Sequence, residues 1–192
     1  MYKINLVKLP KKVLREKSKE VKIPLSAEDI ELAEKMIWHI DDSQQEGSKF
    51  QPGVGVAAVQ YGILKRMFYI NASMADPANS HNVIELKDVL INPVVVAKSD
   101  FEVALNEGEG CLSVSYTWPN QDGYVYRKNR IVIDAYSYNE KKIKRYDLTG
   151  YLAIVAQHEL DHLEGKLFVD RIQHKQPWNK KQNSRLINQG DM

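Results

Sequence analysis

Two histidines four residues apart, with a glutamate beside the first, form the segment of this sequence best suited to chemistry. They are His158, Glu159 and His162. On a helix, residues i and i+4 share one face about 6 Å apart, so both imidazoles can reach one metal ion. The glutamate can then act as a base toward water that the ion activates. The pattern predicts the site of a metal-dependent hydrolase.

A catalytic site of this kind takes three protein ligands and leaves one position for water. In one large peptidase group the third ligand is a His six residues beyond the second His, but Phe168 stands there. Other peptidases use a downstream Glu, yet Glu164 is the last Glu of the chain. The third ligand is therefore expected upstream, where the candidates are Cys111, His39, His81 and the acidic residues.

Cys111 is the favoured third ligand. It stands in the segment Glu-Gly-Cys-Leu-Ser at 109–113, where the glycine lets the backbone approach a metal ion closely. A lone cysteine is more often a buried small apolar residue, but a His pair at ligand spacing reverses that preference. A thiolate ligand would moderate the ion's Lewis acidity and leave the site open to oxidation.

The segment from Gly53 to Gln60 is Gly-Val-Gly-Val-Ala-Ala-Val-Gln. It fits a loose dinucleotide-binding fingerprint, but that fingerprint must follow a buried strand, and residues 48–52 do not form one. Two interpretations remain. The glycines serve a tight turn with unusual dihedrals, or they let the backbone run alongside an extended substrate while Gln60 turns an amide N–H toward a developing oxyanion.

The elements that position these residues predict an α+β fold, with mainly antiparallel strands packed around a central helix that carries the His-Glu-x-x-His motif. Thr149 can cap this helix, which stops at Gly165. Ser26 and Asp29 resemble the start of a surface helix over about 26–46. Strands are predicted at 67–70, 89–91, 94–96, 131–136 and 143–146, with a loop over 74–82, a bulge or turn at 92–93 and a turn at 139–140.

Composition predicts one globular domain. The chain has 192 residues, is 43% hydrophobic and carries a net charge of +2, which by itself is too slight to indicate a protein that binds DNA or another nucleic acid. We expect no secretory signal and no membrane span, because no apolar run is long enough for either. One cysteine allows no intrachain disulfide, which favours a reducing, cytoplasmic location.

Charge is concentrated near the C-terminus. We predict a catalytic domain over 1–172 and a basic, polar tail over 173–192. The tail is either a solvated terminus or a segment that binds an RNA-rich partner through its positive charge. The basic residues from position 171 onward are Arg171, Lys175, Lys180, Lys181 and Arg185.

Three segments in series, at 53–60, 109–113 and 157–165, resemble the bacterial peptide deformylase family, and the similarity of pattern runs from about Val7 to Ile172. The resemblance implies removal of the N-terminal formyl group from formyl-methionine-initiated nascent polypeptides, with release of formate. It implies one divalent metal ion, often Fe²⁺, with Zn²⁺, Ni²⁺ or Co²⁺ as substitutes. The ribosome is a further expected partner, through the basic tail.

The resemblance also assigns roles by position. Glu159 becomes the general acid and base, while the Gln60 side chain and the Leu112 N–H stabilise the oxyanion. Gly55 pairs with the peptide backbone, and Arg127 lies near the substrate entrance. The metal ligands become Cys111, His158 and His162, and the methionine pocket is lined by Val54, Tyr151, Ile154, Val155 and the ring of His158.

Two positions depart from the family pattern. Val56 replaces the more usual Leu, and Tyr151 stands where a smaller aliphatic residue often lines the pocket. Both bear on the shape of the pocket rather than on its chemistry. Asp161 and Asp134 are the candidates for orienting a ligand His through its second ring nitrogen, as metal sites commonly require.

Two alternatives to a deformylase stay open at this point. One is another metal-dependent amidase or peptidase on a similar scaffold. The other is a binding protein whose metal is structural, although a closed structural site needs four protein ligands and the motifs offer three.

Overall fold

A computed structural model describes residues 2–76 and 78–189. Within this part, two α-helices combine with eight strands, so the predicted α+β class is confirmed. Short 3₁₀ turns lie at Lys12–Arg15, Ala58–Tyr61 and Phe168–Arg171. The helices are α1 (Ala27–Ser43) and α2 (Gly150–Leu163), and the strands are β1 (Gly55–Ala57), β2 (Met67–Asp76), β3 (Asn79–Lys98), β4 (Glu102–Leu105), β5 (Arg127–Lys128), β6 (Arg130–Ser137), β7 (Lys142–Thr149) and β8 (Ser184–Ile187).

The strands form two sheets. The larger has the order β1-β2-β3-β6-β7, and every neighbouring pair in it is antiparallel. The smaller has the order β5-β4-β8, with β4 and β8 parallel. The mainly antiparallel arrangement is as predicted, whereas β1, β4, β5 and β8 have no counterpart among the predicted strands.

Strands β2 and β3 form a long hairpin where the sequence predicts a loop over 74–82. Cross-strand pairing continues through Met74 and Ile84, and through Ala75 and Val83. The loop prediction is wrong because small polar residues weaken strand propensity only modestly, and backbone pairing plus burial of Met74, which is 3% exposed, outweighs it. Pro77, part of the predicted loop, lies outside the described residues.

Two predicted irregularities of the large sheet are present. The β3–β6 register shifts between Ile91 and Val94, which confirms the bulge at Asn92-Pro93. Asn92 adopts a φ of +51°, and its side chain exchanges two hydrogen bonds with the backbone of Val21. The turn at 139–140 connects β6 and β7.

Side chains alternate between the two faces of the large sheet, as the pleat requires. Phe68 and Ile70 of β2 join the core cluster that includes the buried face of α2. Met67 and Tyr69 join the other cluster, with α1. On β1, Ala57 belongs to the α2 cluster and Val56 to the α1 cluster. Val56 therefore shapes the packing of α1 beneath the sheet.

Helix α1 begins at a capping box. The Ser26 hydroxyl accepts a hydrogen bond from the Asp29 N–H at 3.2 Å, and the Asp29 carboxylate accepts one from the Ser26 N–H at 3.0 Å. The predicted start is confirmed. The helix ends at Ser43 rather than near position 46, because residues 44–46 lie in a turn.

Helix α2 follows β7 without a connecting loop. Thr149 occupies the N-cap position, but its side chain makes no capping hydrogen bond, so that part of the prediction is wrong. The first helical N–H, from Gly150, instead donates to the carbonyl of Asn129 at 2.8 Å. Gly165 ends the helical segment with a φ of +67°, and a Cβ there would clash with the Arg15 backbone.

The described part of the C-terminal segment packs onto the domain. Strand β8 pairs with β4, for example Arg185 with Val103, and Trp178 meets Tyr124 edge to face at 5.0 Å. The boundary at residue 172 stays a prediction, but residues 184–187 are part of a sheet. Neither helix in the described ranges is long and apolar enough to span a membrane.

Candidate metal centre and active site

Helix α2 brings His158 and His162 onto one face, with ring centroids 5.0 Å apart. Phe168, in the 3₁₀ turn after the helix, stacks on the His158 ring at 6.1 Å. His162 is 1% exposed. The helix is buried on most of its surface, so both imidazoles project into the interior of the domain from a backbone held by packing.

Cys111 completes a cluster with the two histidines. It lies in the irregular segment between β4 and β5, and its Sγ is 3.3 Å from Nε2 of His162. One ligand atom from each of the three residues lies within 4.8 Å of the other two. An ion bound at about 2.0–2.3 Å from nitrogen and sulfur fits between atoms at this separation. The other histidine candidates lie elsewhere, because His39 hydrogen-bonds Tyr61 at 2.8 Å and His81 is exposed.

Glu109 holds the second ring nitrogen of His158. Its Oε2 lies 2.8 Å from Nδ1 of the imidazole. Burial alone would raise the pKa of Glu109, but the Arg127 guanidinium outweighs burial and lowers it to about 2. An ionised carboxylate only accepts hydrogen bonds, so Nδ1 is the donor and Nε2 is left free for a metal ion.

Asp161 and Asp134, the predicted partners of a ligand histidine, serve elsewhere, so that prediction is wrong. The Asp161 carboxylate accepts hydrogen bonds from Arg127 and Arg171. Asp134 lies on the large sheet, where Arg145 binds it through two nitrogens at 2.7 Å. In both cases a guanidinium, which offers two parallel donors, satisfies the carboxylate better than one imidazole N–H can.

Arg127, predicted near the substrate entrance, lies in the interior with 2% exposure. Its Nε and Nη2 donate to Glu109, and its Nη1 donates to Asp161 at 2.9 Å. Each guanidinium nitrogen is thus committed to a carboxylate, as a buried cation requires. The predicted position is wrong: Arg127 stands behind Glu109 and supports the residue that orients His158.

Glu159 is buried at 3% exposure. Among the described residues its Oε2 has no hydrogen-bond partner. Its Oε1 lies 2.5 Å from the point where a Cβ on Gly55 would stand, so β1 makes room for this carboxylate by having no side chain there. Burial raises the pKa of Glu159 to about 7. A carboxyl group with such a pKa can both accept and return a proton near neutral pH.

The Gln60 side chain is aimed at the Cys111 segment. Its Oε1 accepts a hydrogen bond from the Ala57 N–H at 2.9 Å. This bond fixes the amide orientation, so Nε2 faces the Ser113 hydroxyl at 3.1 Å and the Cys111 sulfur at 3.7 Å. An N–H donor of Gln60 is therefore held beside the candidate metal centre, as oxyanion stabilisation requires.

Leu112 follows Cys111 and is 7% exposed. One of its methyl carbons lies 3.1 Å from the point where a Cβ on Gly53 would stand. The glycine segment therefore approaches the cysteine segment closely.

The predicted pocket residues lie on α2 and immediately before β1. Tyr151, Ile154 and Val155 are buried at 6%, 2% and 6% exposure, and Val54 packs against the same cluster as a half-buried residue. Burial raises the pKa of Tyr151. That these side chains receive a methionine stays a prediction.

Sequence reasoning missed the roles of Glu109 and Ser113. Both belong to the segment quoted around Cys111, and Glu109 is the nearest carboxylate in sequence to that ligand. The expectation that a metal-bound histidine has a carboxylate partner was applied to Asp161 and Asp134, but it fits Glu109 equally well, because Glu109 stands two residues before Cys111. Arg127 gave no such sign, because its burial depends on the fold.

Comparison with known proteins agrees with this geometry. A family model described as Polypeptide deformylase matches residues 3–178. A peptide deformylase of Mycoplasmopsis pulmonis is 54% identical over 189 residues, covering 94% of this chain and 96% of that protein. One of Lacticaseibacillus casei is 43% identical over 171 residues, covering 87% and 88%.

Solved structures give the same result. The Met-Ala-Ser-bound class I type b peptide deformylase of Acinetobacter baumannii superposes with a TM-score of 0.69 at 28% identity, covering 88% of this chain and 98% of that one. The Ehrlichia chaffeensis peptide deformylase in complex with actinonin gives a TM-score of 0.70 at 29% identity, covering 90% of each chain. The chain therefore belongs to the polypeptide deformylase family.

Proposed function

We propose that this protein removes the formyl group from the N-terminal formyl-methionine of newly synthesised polypeptides and releases formate. One observation carries the proposal. The ligand atoms of Cys111, His158 and His162 lie within 4.8 Å of one another, next to the buried Glu159 carboxylate, whose Oε2 is unpartnered among the described residues. Membership of the polypeptide deformylase family supports the substrate class.

Cys111, His158 and His162 hold one divalent metal ion, with Fe²⁺ as the expected natural ion and Zn²⁺, Ni²⁺ or Co²⁺ as substitutes. When bound, the ion acts as a Lewis acid that polarises the formyl oxygen and lowers the pKa of water. A donor set of one thiolate and two imidazoles suits the borderline-soft ions of this series.

The protein's own groups move the proton and stabilise charge. Glu159 takes a proton from the attacking water, and the new C–O bond forms at the formyl carbon. Gln60 Nε2 and the Leu112 N–H donate to the carbonyl oxygen as it becomes negative, each donor contributing about 3 kcal/mol. Glu159 then returns the proton to the amine nitrogen as the C–N bond breaks.

Strand β1 is the terminal strand of the large sheet, paired with β2 on one edge. Its other edge can pair with an extended peptide, and we place the Gly55 backbone in that contact. The methionine side chain then enters a pocket formed by Val54, Tyr151, Ile154, Val155 and the ring of His158.

We further propose a cytoplasmic location and a contact with the ribosome through the basic C-terminal segment. Lys175, Lys180 and Arg185 are exposed there, and exposed cations bind phosphate backbones with a strong dependence on salt. Truncation is a poor test, since it would remove β8. Lys175→Glu combined with Lys180→Glu should weaken co-sedimentation with ribosomes at low salt, and unchanged co-sedimentation would reject the contact.

Formate release from formyl-Met-Ala-Ser tests the main proposal, with protein loaded anaerobically with Fe²⁺. The parent should release formate, while Glu159→Ala should keep the metal and lose nearly all turnover. Glu164→Ala is the matched control, because Glu164 caps the same helix but pairs with Arg66. Metal-loaded parent without formate release, or an active Glu159→Ala variant, would reject the proposal.

The same assay separates the alternatives. An amidase of wider specificity would also hydrolyse acetyl-Met-Ala-Ser, whereas a site closed around the formyl hydrogen excludes the additional methyl group. A structural metal would be closed by a fourth protein ligand and would show no bound water in its coordination. Hydrolysis of the formyl peptide alone supports the deformylase.

A further inference from the structure

A row of four alternating charges runs from the candidate metal centre to the surface. We call it the charge row, and its members in order are Glu109, Arg127, Asp161 and Arg171. The exposed fraction of the side chain is 3% for Glu109, 1% for Arg127, 10% for Asp161 and 40% for Arg171. The inner end touches the ligand His158, and the outer end lines a surface cavity of about 620 Å³.

The contacts along the charge row are continuous. Glu109 accepts from His158 Nδ1 at 2.8 Å and from Arg127 Nη2 at 2.8 Å. Arg127 Nη1 reaches Asp161 Oδ2 at 2.9 Å. Arg171 then binds both Asp161 oxygens, through Nε and Nη2 at 2.5 Å each. The orientation of each member thus depends on the next.

Arg171 makes the net charge of the charge row zero. Two carboxylates and two guanidiniums sum to zero charge, and the three inner members are buried. Without Arg171 the remaining three carry a net negative charge, and Asp161 keeps Arg127 as its guanidinium partner while Oδ1 loses Arg171. A buried carboxylate that loses a partner is strongly unfavourable, so Asp161 would rotate toward water and pull Arg127 away from Glu109. Glu109 would then hold His158 less firmly.

We propose that Arg171 is a positioning residue for the metal ligand His158, acting through Asp161, Arg127 and Glu109. It touches neither the ligands nor the site of reaction. The inference rests on the proposed metal centre, but it does not require that the substrate be a formylated peptide.

Co²⁺ bound to the full-length protein provides the test, since its affinity and its visible spectrum report on the ligands without any turnover. Arg171→Leu should lower Co²⁺ affinity about tenfold, the low end of the usual cost of losing an outer partner of a metal ligand, and should change the cobalt absorption bands. Arg171→Lys keeps the charge with fewer fixed donors, so it should recover part of the affinity.

Arg145→Leu is the matched control. Arg145 also binds a carboxylate through two nitrogens, but its partner Asp134 lies on the large sheet. This variant should keep parental Co²⁺ affinity and spectrum. An equal loss in both leucine variants would mean a general effect of removing a surface ion pair, and would overturn the proposal. So would parental affinity in Arg171→Leu.

A double-mutant cycle tests the route. If Arg171 acts through Asp161, then Arg171→Leu should add little further loss of Co²⁺ affinity once Asp161→Asn is present. Additive losses would overturn the proposed route.

Thermal unfolding of each apoprotein shows whether a variant loses Co²⁺ affinity because it is misfolded or because His158 is held less firmly. Arg171→Lys should unfold near the parent temperature. If the parent binds Co²⁺ but releases no formate, the proposed function fails while the positioning role is still measured.

Discussion

The two helices of this protein are held in different ways. Eleven of the 14 residues of α2 are buried, and its N-cap side chain makes no hydrogen bond. Seven of the 17 residues of α1 are buried, and a complete capping box starts it. Helix α1 is therefore stabilised by its local sequence and one apolar face, whereas α2 depends on the structure that encloses it.

Because of this difference, α1 contributes mainly to stability and α2 carries the candidate active site. Because α2 is enclosed, neighbouring strands and loops can bring Gly55, Glu109 and Cys111 against its polar residues. Helix α1 contributes packing and no metal ligand. Substitutions in α1 should therefore change the free energy of unfolding and leave turnover alone, while substitutions at the residues that face Glu159 and the candidate ligands should change turnover or metal affinity.

The largest expected effect is on the α1 side. Met36 is 0% exposed and packs in the α1 cluster, so Met36→Ala should destabilise the protein by about 3 kcal/mol through lost burial and an incompletely filled cavity. Chemical denaturation measures this loss. The turnover number of the folded fraction should match the parent, and a fall of tenfold or more would show that α1 is coupled to the active site.

Gly55→Ala should lower turnover and leave the stability of the fold nearly unchanged. The new Cβ would stand 2.5 Å from Glu159 Oε1, and the cheapest relief is to move the end of the Glu159 side chain. A displacement of about 1 Å in a catalytic group can cost about a hundredfold in rate. Turnover should fall by that order, with little change in unfolding temperature. In the control Gly53→Ala the Cβ meets methyl carbons of Leu112 and Ile40 instead, so turnover should stay near the parent value.

Glu109→Gln should act on the metal rather than on the proton transfer. The variant keeps the shape but loses the charge that fixes His158 and pairs with Arg127, so we expect metal affinity to fall about thirtyfold. Competition with a chelator measures it. Glu107→Gln, an exposed position in the same segment, should bind metal like the parent. Equal affinity in the two variants would show that His158 needs no carboxylate partner.

The parts of the molecule that sequence could predict are those determined by local spacing. His158 and His162 meet because four residues make about one helical turn, and Ser26 with Asp29 starts α1 because a capping box involves residues only three apart. Cys111 was predictable as a ligand by elimination and by its segment, although its contact with His162 spans 51 positions.

The parts that escaped prediction depend on long-range pairing. Strand β8 lies beside β4 although about 80 residues separate them in sequence, and no local pattern records that partnership. Arg127 looks like a surface residue in sequence, because burial of a guanidinium needs carboxylates that only the fold supplies. The hairpin over 74–82 was missed for the same reason: pairing between β2 and β3 overrides weak propensity.

The smallest expected effect is a pH-dependent one at the α1 cap. Burial alone would raise the pKa of Asp29, but hydrogen bonds from Lys65 and Ser26 outweigh it and lower the pKa below its ordinary value. The ionised form thus favours folding, so this contribution is present above the ordinary Asp pKa of about 3.9 and is lost as pH falls through the lower folded-state pKa.

Asp29→Asn should lower the free energy of unfolding by about 1 kcal/mol at neutral pH. The difference from the parent should vanish in acid, and turnover at neutral pH should stay unchanged. A difference that persisted in acid would mean that the Asn side chain fails as a cap for steric reasons, and that α1 depends on more than its local charges.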